Sequence, residues 1–166
     1  MNDQASNNNT AVIIGVVVAL MCCGSVPVVG ILSAIAIPNF IVMQLRAKRA
    51  EAPSNVDGMR TAEKAYHAEW DAFTSVTACP PFVPGREAVA WDSSWDCYQQ
   101  FSTLGWLPDG MTRCQYEIIA LNDPSNSSIH DFMINSYCDV DGDGNYSTYE
   151  ANRASKATMT SWNNEY

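Results

Sequence analysis

The chain begins with a short polar segment and continues into a long apolar run that carries no charge. Residues 1–10 are rich in Asn, and residues 11–45 contain no Asp, Glu, Lys or Arg. About 20 apolar residues in a helix cross a bilayer core of about 30 Å. The pattern therefore predicts a disordered polar tail over 1–10 and a membrane-spanning helix over 11–45, long enough to project beyond the bilayer.

The apolar run differs from a cleavable signal peptide. No Lys or Arg precedes it, and no small-residue cleavage site leads into a polar mature start. A lipoprotein is a further alternative, because Leu20-Met21-Cys22 loosely resembles a lipobox and Cys22 or Cys23 would then be acylated. The simplest interpretation of the run is a single-pass membrane anchor.

Residues 46–75 show the spacing of an amphipathic helix. After Pro53, apolar residues recur at steps of three and four positions, at Val56, Met59, Ala62, Tyr66, Trp70 and Phe73. Such a stripe can pack on a sheet. Pro53 predicts a kink where this helix continues the apolar one. His67 lies within the helix and is expected to be a surface residue.

The remainder, residues 76–166, is predicted to be a globular domain with a hairpin. Residues 76–95 read as an irregular loop, and Trp91, Trp95 and Trp106 are expected to pack in the core rather than to form a binding surface. Residues 113–121 and 130–138 have the composition of strands, and residues 122–128 are turn-forming.

Four cysteines in this domain predict two disulfides and an oxidising compartment. Cys79, Cys97, Cys114 and Cys138 have no CxxC spacing and no partnering His, which argues against zinc. The hairpin places Cys114 opposite Cys138, where cross-strand β-carbons lie about 4.5–5.5 Å apart. Cys79 is then left to pair with Cys97. Four cysteines allow three connectivities, and this pairing is the favoured one.

The charge of the chain restricts its function further. The formal net charge is −9, which argues against a nucleic-acid partner because phosphate binding needs a basic surface. No catalytic triad, phosphate loop or cofactor fingerprint is recognisable, and His67 and His130 are isolated in sequence. No enzymatic activity is predicted.

Residues 139–150 match the twelve-residue EF-hand loop and predict a calcium site. Its liganding positions are occupied by Asp139, Asp141, Asp143, Asn145, Ser147 and Glu150. Oxygen ligands at this spacing suit Ca²⁺ better than Mg²⁺ or Zn²⁺. There is one loop and a strand precedes it, so a structural clamp is expected rather than a sensor. A helix from about Tyr149 to Ala157 is predicted to follow.

Several segments of the chain resemble type IV pilins and type II secretion pseudopilins. Residues 30–40, Gly-Ile-Leu-Ser-Ala-Ile-Ala-Ile-Pro-Asn-Phe, are similar to the end of the hydrophobic pilin helix. Residues 46–51 and 61–66 resemble its second half. Residues 104–106 and 112–116 are similar to the strand region of pilin-like proteins.

The chain departs from the pilin pattern at the start of the helix. Alignment on residues 30–40 places Val16 where pilins have the glycine before the cleavage site. Met21 then occupies the position of the early glutamate, and Gly15 lies one place away from the cleavage position. An uncut leader and an inner-membrane location are therefore the alternative to processing and polymerisation.

The resemblance implies an α+β, pilin-like fold in which a long N-terminal α-helix packs on a small antiparallel β-sheet. It implies a structural subunit of a type IV pilus-like or type II secretion-like filament, whose partners are other copies or pilin-like subunits and the inner membrane. The expected location is the bacterial inner membrane with the C-terminal domain in the periplasm, or an extracellular filament. The alternative is a single-pass, calcium-binding surface protein that does not polymerise.

Overall fold

The computed structural model describes residues 3–122, 130–162 and 166, without the side chains of residues 3–9, 21–29 and 122. Most of the predicted hairpin turn lies outside these residues. The chain forms two compact units, Met1–Met43 and Gln44–Tyr166; we call the second unit the head. The helices are α1 (Asp3–Arg49), α2 (Glu51–Trp70) and α3 (Asp96–Leu104); the strands are β1 (Val76–Cys79), β2 (Val89–Ala90), β3 (Met111–Thr112), β4 (Cys114–Asn122), β5 (His130–Cys138), β6 (Ser147–Asn152) and β7 (Thr158–Met159).

The first unit contains α1 up to Met43, and the last residues of α1 belong to the head. The helix already begins at Asp3, so residues 3–10, expected to be disordered, are helical. Extending an existing helix adds one hydrogen bond for each residue fixed, which makes such an extension inexpensive. Among the described residues, the stretch Gly30–Trp70 is long and apolar enough to cross a membrane by length and composition.

The boundary between α1 and α2 lies at Ala50, three residues before Pro53. Pro53 has no N–H to donate to the carbonyl of Arg49, and its ring crowds that carbonyl. This explains why the interruption precedes the proline. Pro53 itself lies in the first turn of α2, where a missing N–H is best tolerated.

The buried face of α2 differs from the predicted stripe. Ala52, Val56, Met59 and Glu63 are buried, at steps of four, three and four residues. Trp70 is 62% exposed, because the helix ends there and Asp71 turns the chain with a positive φ of 52°. The next buried position of the helix after Met59 is therefore occupied by Glu63, a charged residue type.

A five-stranded antiparallel sheet in the order β1-β4-β5-β6-β7 covers α2. The predicted strands are confirmed as β4 and β5, and their register places Cys114 opposite Cys138. The face that α2 contacts carries the alternate residues of β4–β6, including Tyr116, Ile118, Phe132, Ile134 and Ala151, all buried. The fold is α+β, with the second part of the long helix packed on an antiparallel sheet.

Two local predictions are wrong, and one helix was missed. Residues 76–95 are not a loop throughout, because β1 pairs with β4 and β2 pairs with β3. No helix covers Tyr149 to Ala157; this region begins with β6, whose residues pair with β5. The third helix, α3, was not predicted, although its buried residues Cys97, Phe101 and Leu104 follow helical spacing.

Candidate functional site

The described part of α1 exposes large apolar side chains along its length. Ile35 is 61% exposed and Phe40 is 60% exposed, and the others lie on all sides of the helix; they include Val12, Ile13, Ile14, Ile31, Leu32, Ile37, Ile41 and Met43. A helix that is apolar all round is stable when lipid or other helices surround it. This surface is the first candidate site, and its chemistry is that of membrane insertion or helix packing.

The second candidate site is the loop between β5 and β6. The carboxylates of Asp139, Asp141 and Asp143 each place one oxygen within 4.8 Å of the others. The loop begins directly after Cys138, whose disulfide to Cys114 joins β5 to β4. Gly142 and Gly144 take positive φ angles of 70° and 85°, which only glycine adopts without strain. The strand end and the glycines together bring the three carboxylates to one place.

Asp139 organises this loop through its own side chain. Its Oδ1 accepts hydrogen bonds from the backbone N–H groups of Gly142, at 2.7 Å, and Asp143, at 3.1 Å. Its Oδ2 accepts one from Gly144 at 3.2 Å. Such side-chain-to-backbone bonds fix a turn. Asp139 therefore shapes the loop as well as adding charge to it.

The three carboxylates differ in their electrostatics. Burial raises the pKa of Asp141 above its ordinary value, and the nearby charges of Asp143 and Asp139 contribute. Asp141 Oδ1 is buried and has no hydrogen-bonding partner among the described residues. Hydrogen bonds from the side chain and backbone of Asn145 lower the pKa of Asp143. Asp139 and Asp143 accept hydrogen bonds from within the loop, whereas Asp141 Oδ1 accepts none from the described residues. The negative charge of Asp141 is therefore the least stabilised of the three.

The remaining predicted ligands are placed differently. The Ser147 hydroxyl donates to the carbonyl of Cys138 at 3.3 Å, and the Asn145 amide donates to Asp143 at 2.9 Å. Glu150 lies outside the group of three carboxylates. It lies within β6, opposite Asn135 and three residues beyond Ser147, a distance of roughly 10 Å along a strand.

Arg86 is a neighbour of the loop that sequence reasoning missed. Its Nε donates to the backbone carbonyl of Asp141, and its side chain lies 3.2 Å from the point where a Cβ on Gly142 would be. The carbonyl of Arg86 in turn accepts from Arg113 at 2.7 Å. An arginine 55 residues away in sequence gives no local signal of this contact.

The cysteine and aromatic residues stabilise the surroundings of the site. Among the described side chains, disulfides join Cys79 to Cys97 and Cys114 to Cys138. The rings of Trp91 and Trp106 lie 5.9 Å apart, and Phe101 and Tyr116 pack against both. Trp95 instead contacts Phe82 at 6.3 Å. Trp91 and Trp106 therefore belong to an aromatic cluster between α3 and the sheet.

Comparison with known proteins gives an informative relative. No family model matches the chain, and no solved structure matches it. The type IV major pilin protein PilA of Myxococcus xanthus (strain DK1622) is 43% identical over 61 residues, which are 37% of this chain and 28% of that pilin. This chain is similar to a type IV pilin. The match spans less than a third of the pilin's own length.

The similarity agrees with the architecture described above. A long apolar helix that continues into a head with an antiparallel sheet is the arrangement expected of a pilin-like protein. The similarity points to a structural protein rather than an enzyme.

Proposed function

We propose that this protein is a structural subunit of a type IV pilus-like or type II secretion-like filament. The observation that carries the proposal is the exposed apolar surface of α1 in a chain 43% identical over 61 residues to a type IV major pilin. An apolar helix in isolation from lipid is strongly unfavourable, because each buried CH₂ is worth about 0.8 kcal/mol. The helix therefore needs either a bilayer or the helices of neighbouring subunits.

Assembly would proceed through α1 while the head faces outward. Each copy would leave the bilayer by exchanging lipid contacts for contacts with the helices of its neighbours. Contacts of this type would join two different surfaces of neighbouring copies. Such heterologous contacts build an open helical filament when the rotation between copies does not close into a ring. Other pilin-like subunits could also be partners, because their apolar helices would provide the same kind of packing surface as α1.

Shearing and N-terminal sequencing test the filament proposal. We expect the protein in sheared surface filaments, with a new N-terminus near Val16 or Val17. Recovery only from the membrane fraction, with Met1 still attached, would contradict assembly. It would favour the alternative, a membrane-anchored surface protein that does not polymerise. Mass spectrometry of the same sample would detect acylation at Cys22 or Cys23, the lipoprotein alternative.

We further propose that the loop between β5 and β6 binds calcium and acts as a clamp on the head. The convergence of Asp139, Asp141 and Asp143 within 4.8 Å supports this, and so does the unpartnered, buried Asp141 Oδ1. These oxygens fit a hard divalent cation. The ion would offset the repulsion among the three carboxylates and fasten the end of β5 to the start of β6.

Calcium-dependent unfolding of the full chain in detergent tests the clamp. Extracellular calcium modules bind with dissociation constants of about 10⁻⁴–10⁻³ M, so about 10 mM Ca²⁺ should raise the free energy of unfolding by about 1.4–2.7 kcal/mol. Asp141→Asn should remove most of this increase. Asp109→Asn, an exposed aspartate outside the loop, is the control and should retain it. An equal response of both variants would contradict the site.

Glu150 provides a sharper comparison within the same loop. The EF-hand pattern assigns it as the bidentate ligand, whereas its backbone pairs with β5 within β6 and its carboxylate is not one of the three that converge. We therefore expect Glu150→Gln to reduce the calcium effect less than Asp141→Asn does. A larger loss in Glu150→Gln would mean that β6 rearranges when the ion binds.

A further inference from the structure

A basic cleft lies on the head at the C-terminal half of α2. Its volume is about 320 Å³, and it is lined by Lys64, His67, Phe73 and Arg153. Lys64 and His67 are three residues apart and therefore share one face of α2. Arg153 follows β6. The cleft thus combines cationic side chains from two parts of the chain about 90 residues apart in sequence.

The ring of Phe73 supports the side chains of His67 and Arg153. The imidazole of His67 stacks on it with ring centres 4.4 Å apart, and the guanidinium carbon of Arg153 lies 5.6 Å from its centre. Phe132 packs against the same ring at 4.8 Å. Phe73 is buried, so the imidazole of His67 and the guanidinium of Arg153 rest against a residue of the core.

Arg153 is fixed at both its backbone and its side chain. Its backbone N–H donates to Asp131 Oδ1 at 3.1 Å, and its Nη1 donates to the carbonyl of His130 at 3.0 Å. Its backbone carbonyl accepts from the guanidinium of Arg60 at 3.0 Å. A preorganised guanidinium loses less conformational entropy when it binds a ligand than a free one does.

Two polar groups in or beside the cleft have no hydrogen-bonding partner among the described residues. The ammonium of Lys64 makes no hydrogen bond or ion pair with any described residue. The Nδ1 atom of His130 is buried and has no hydrogen-bonding partner within the described part of the chain, and its ring lies 6.3 Å from that of His67. Buried polar atoms without partners are rare in folded proteins and call for an explanation.

The concentration of positive charge is unusual for this chain. The formal net charge is −9. Beyond residue 50 there are only six Lys or Arg residues, and Arg60, Lys64 and Arg153 lie at or beside the cleft. Both histidines of the chain are also there. Asp131, the acidic residue bonded to Arg153, already accepts from the N–H of Phe132 as well.

We propose that this cleft binds an oxyanion, the carboxylate, phosphate or sulfate group of a ligand. Lys64 would supply a compact charge, Arg153 its remaining guanidinium N–H groups, and the imidazole of His67 a ring N–H. A metal ion is the competing occupant of a pair of histidines. Lys64 and Arg153 disfavour it, because their positive charges would repel a cation bound beside them.

The two histidines make a direct experiment possible. In the full chain in non-ionic detergent, every imidazole resonance in a nitrogen–proton NMR spectrum reports on this cleft, since the chain has only two histidines. We expect inorganic phosphate or acetate, at constant pH, to shift these resonances saturably. Sodium chloride at matched ionic strength should not. The anion that binds more tightly identifies the ligand group as a phosphoryl group or a carboxylate.

Variants of one lysine test the assignment. Lys64→Gln should weaken binding of the preferred anion by about tenfold or more, the loss expected for one charge-assisted hydrogen bond. Lys64→Arg should largely restore it. Lys156→Gln removes the same charge from another exposed position of the head and should leave the affinity unchanged.

Three outcomes would overturn the proposal. The first is a response to phosphate and acetate that is non-saturable or equal to that of chloride. The second is an equal loss of affinity in Lys64→Gln and Lys156→Gln, which would indicate a general charge effect. The third is a saturable shift with Zn²⁺ in the absence of any shift with phosphate or acetate, which would identify the histidines as a metal site.

Discussion

Glu63 is a carboxylic acid enclosed in the head. It is fully buried on the face of α2 that contacts the sheet. Its Oε2 accepts from the backbone N–H of Thr74 at 3.3 Å, while its Oε1 has no hydrogen-bonding partner in the part of the chain that the structure describes. Burial raises the pKa of Glu63 from 4.5 to about 7, and the bond from Thr74 opposes this rise. The head therefore tolerates Glu63 best in its protonated form.

The raised pKa predicts a loss of stability as the pH rises. Between pH 4.5 and about 7, the folded state holds a proton that the unfolded state has released, so the free energy of unfolding falls across this window and then levels off. Glu63→Gln, which cannot ionise, should match the native protein at pH 5. It should exceed its stability by about 1–3 kcal/mol at pH 8.

Urea unfolding of the full chain in detergent, followed by tryptophan fluorescence, measures this difference. All five tryptophans lie in the head, at residues 70, 91, 95, 106 and 162. Glu69→Gln, an exposed change on the same helix, serves as the control and should show no such dependence. A constant difference between native protein and Glu63→Gln at all pH values would refute the explanation.

Gly58 permits the close approach of α2 to Trp106. A Cβ added at Gly58 would lie 2.8 Å from Trp106 Nε1, and that ring is enclosed by Trp91, Phe101 and Tyr116. Gly58→Ala gains about 1 kcal/mol of helix propensity. Because the aromatic cluster has little freedom to move, we expect a net destabilisation of about 1–2 kcal/mol.

A double-mutant cycle with Trp106→Phe checks this prediction. The smaller ring should relieve the overlap, so Gly58→Ala should cost less in that background than in the native protein. If the cost is the same in both backgrounds, the close contact is not its cause.

At the scale of secondary structure, two disulfides fasten the elements that carry the aspartate loop. Cys79–Cys97 joins β1 to α3, and Cys114–Cys138 joins β4 to β5 immediately before Asp139. Their sequence separations are 18 and 24 residues. Because the two disulfides close loops of similar length, each should reduce the conformational entropy of the unfolded chain by a similar amount.

Removal of either disulfide should lower the free energy of unfolding by about 2–4 kcal/mol. We expect Cys79→Ala/Cys97→Ala and Cys114→Ala/Cys138→Ala to shift the urea midpoint comparably. The second pair should also weaken calcium binding, because Cys138 adjoins the loop. Cys22→Ala/Cys23→Ala, in the apolar helix, is the control and should leave the unfolding of the head unchanged. An unaltered midpoint in either head variant would contradict a stabilising role.

At the scale of the whole molecule, the chain separates into an apolar helical unit and a head. The proposed assembly depends on the first unit and the two candidate binding sites on the second. A charge in α1 should therefore impair insertion or assembly without unfolding the head. A Lys or Arg at the centre of a membrane helix costs about 2.5–3.5 kcal/mol on insertion scales.

Ile35→Lys tests this separation. Ile35 is 61% exposed in α1, and we expect its replacement to reduce the membrane and filament fractions while tryptophan fluorescence of the head stays native-like. Leu121→Lys, at an apolar position of β4 that is 44% exposed, is the matched control and should leave both fractions unchanged. Equal losses in both variants would mean that the head, rather than α1, limits assembly.

The sequence by itself determined the features that depend on short spacings. The charge-free run over 11–45 predicts α1, the alternation around the turn predicts β4 and β5, and the loop spacing brings Asp139, Asp141 and Asp143 together. Each of these signals lies within one local segment, where helix period, strand period or ligand spacing directly constrains the backbone.

Only the tertiary structure decided the features that join distant segments. Burial of Glu63, the strand β6 in place of a helix, and the ring contact between His67 and His130 all arise from packing between elements far apart in sequence. Local propensity is weaker than the burial and hydrogen bonding that a sheet edge offers. For that reason the chain's pattern could not show that Glu150 lies within β6, paired with Asn135, or that basic side chains meet around Phe73.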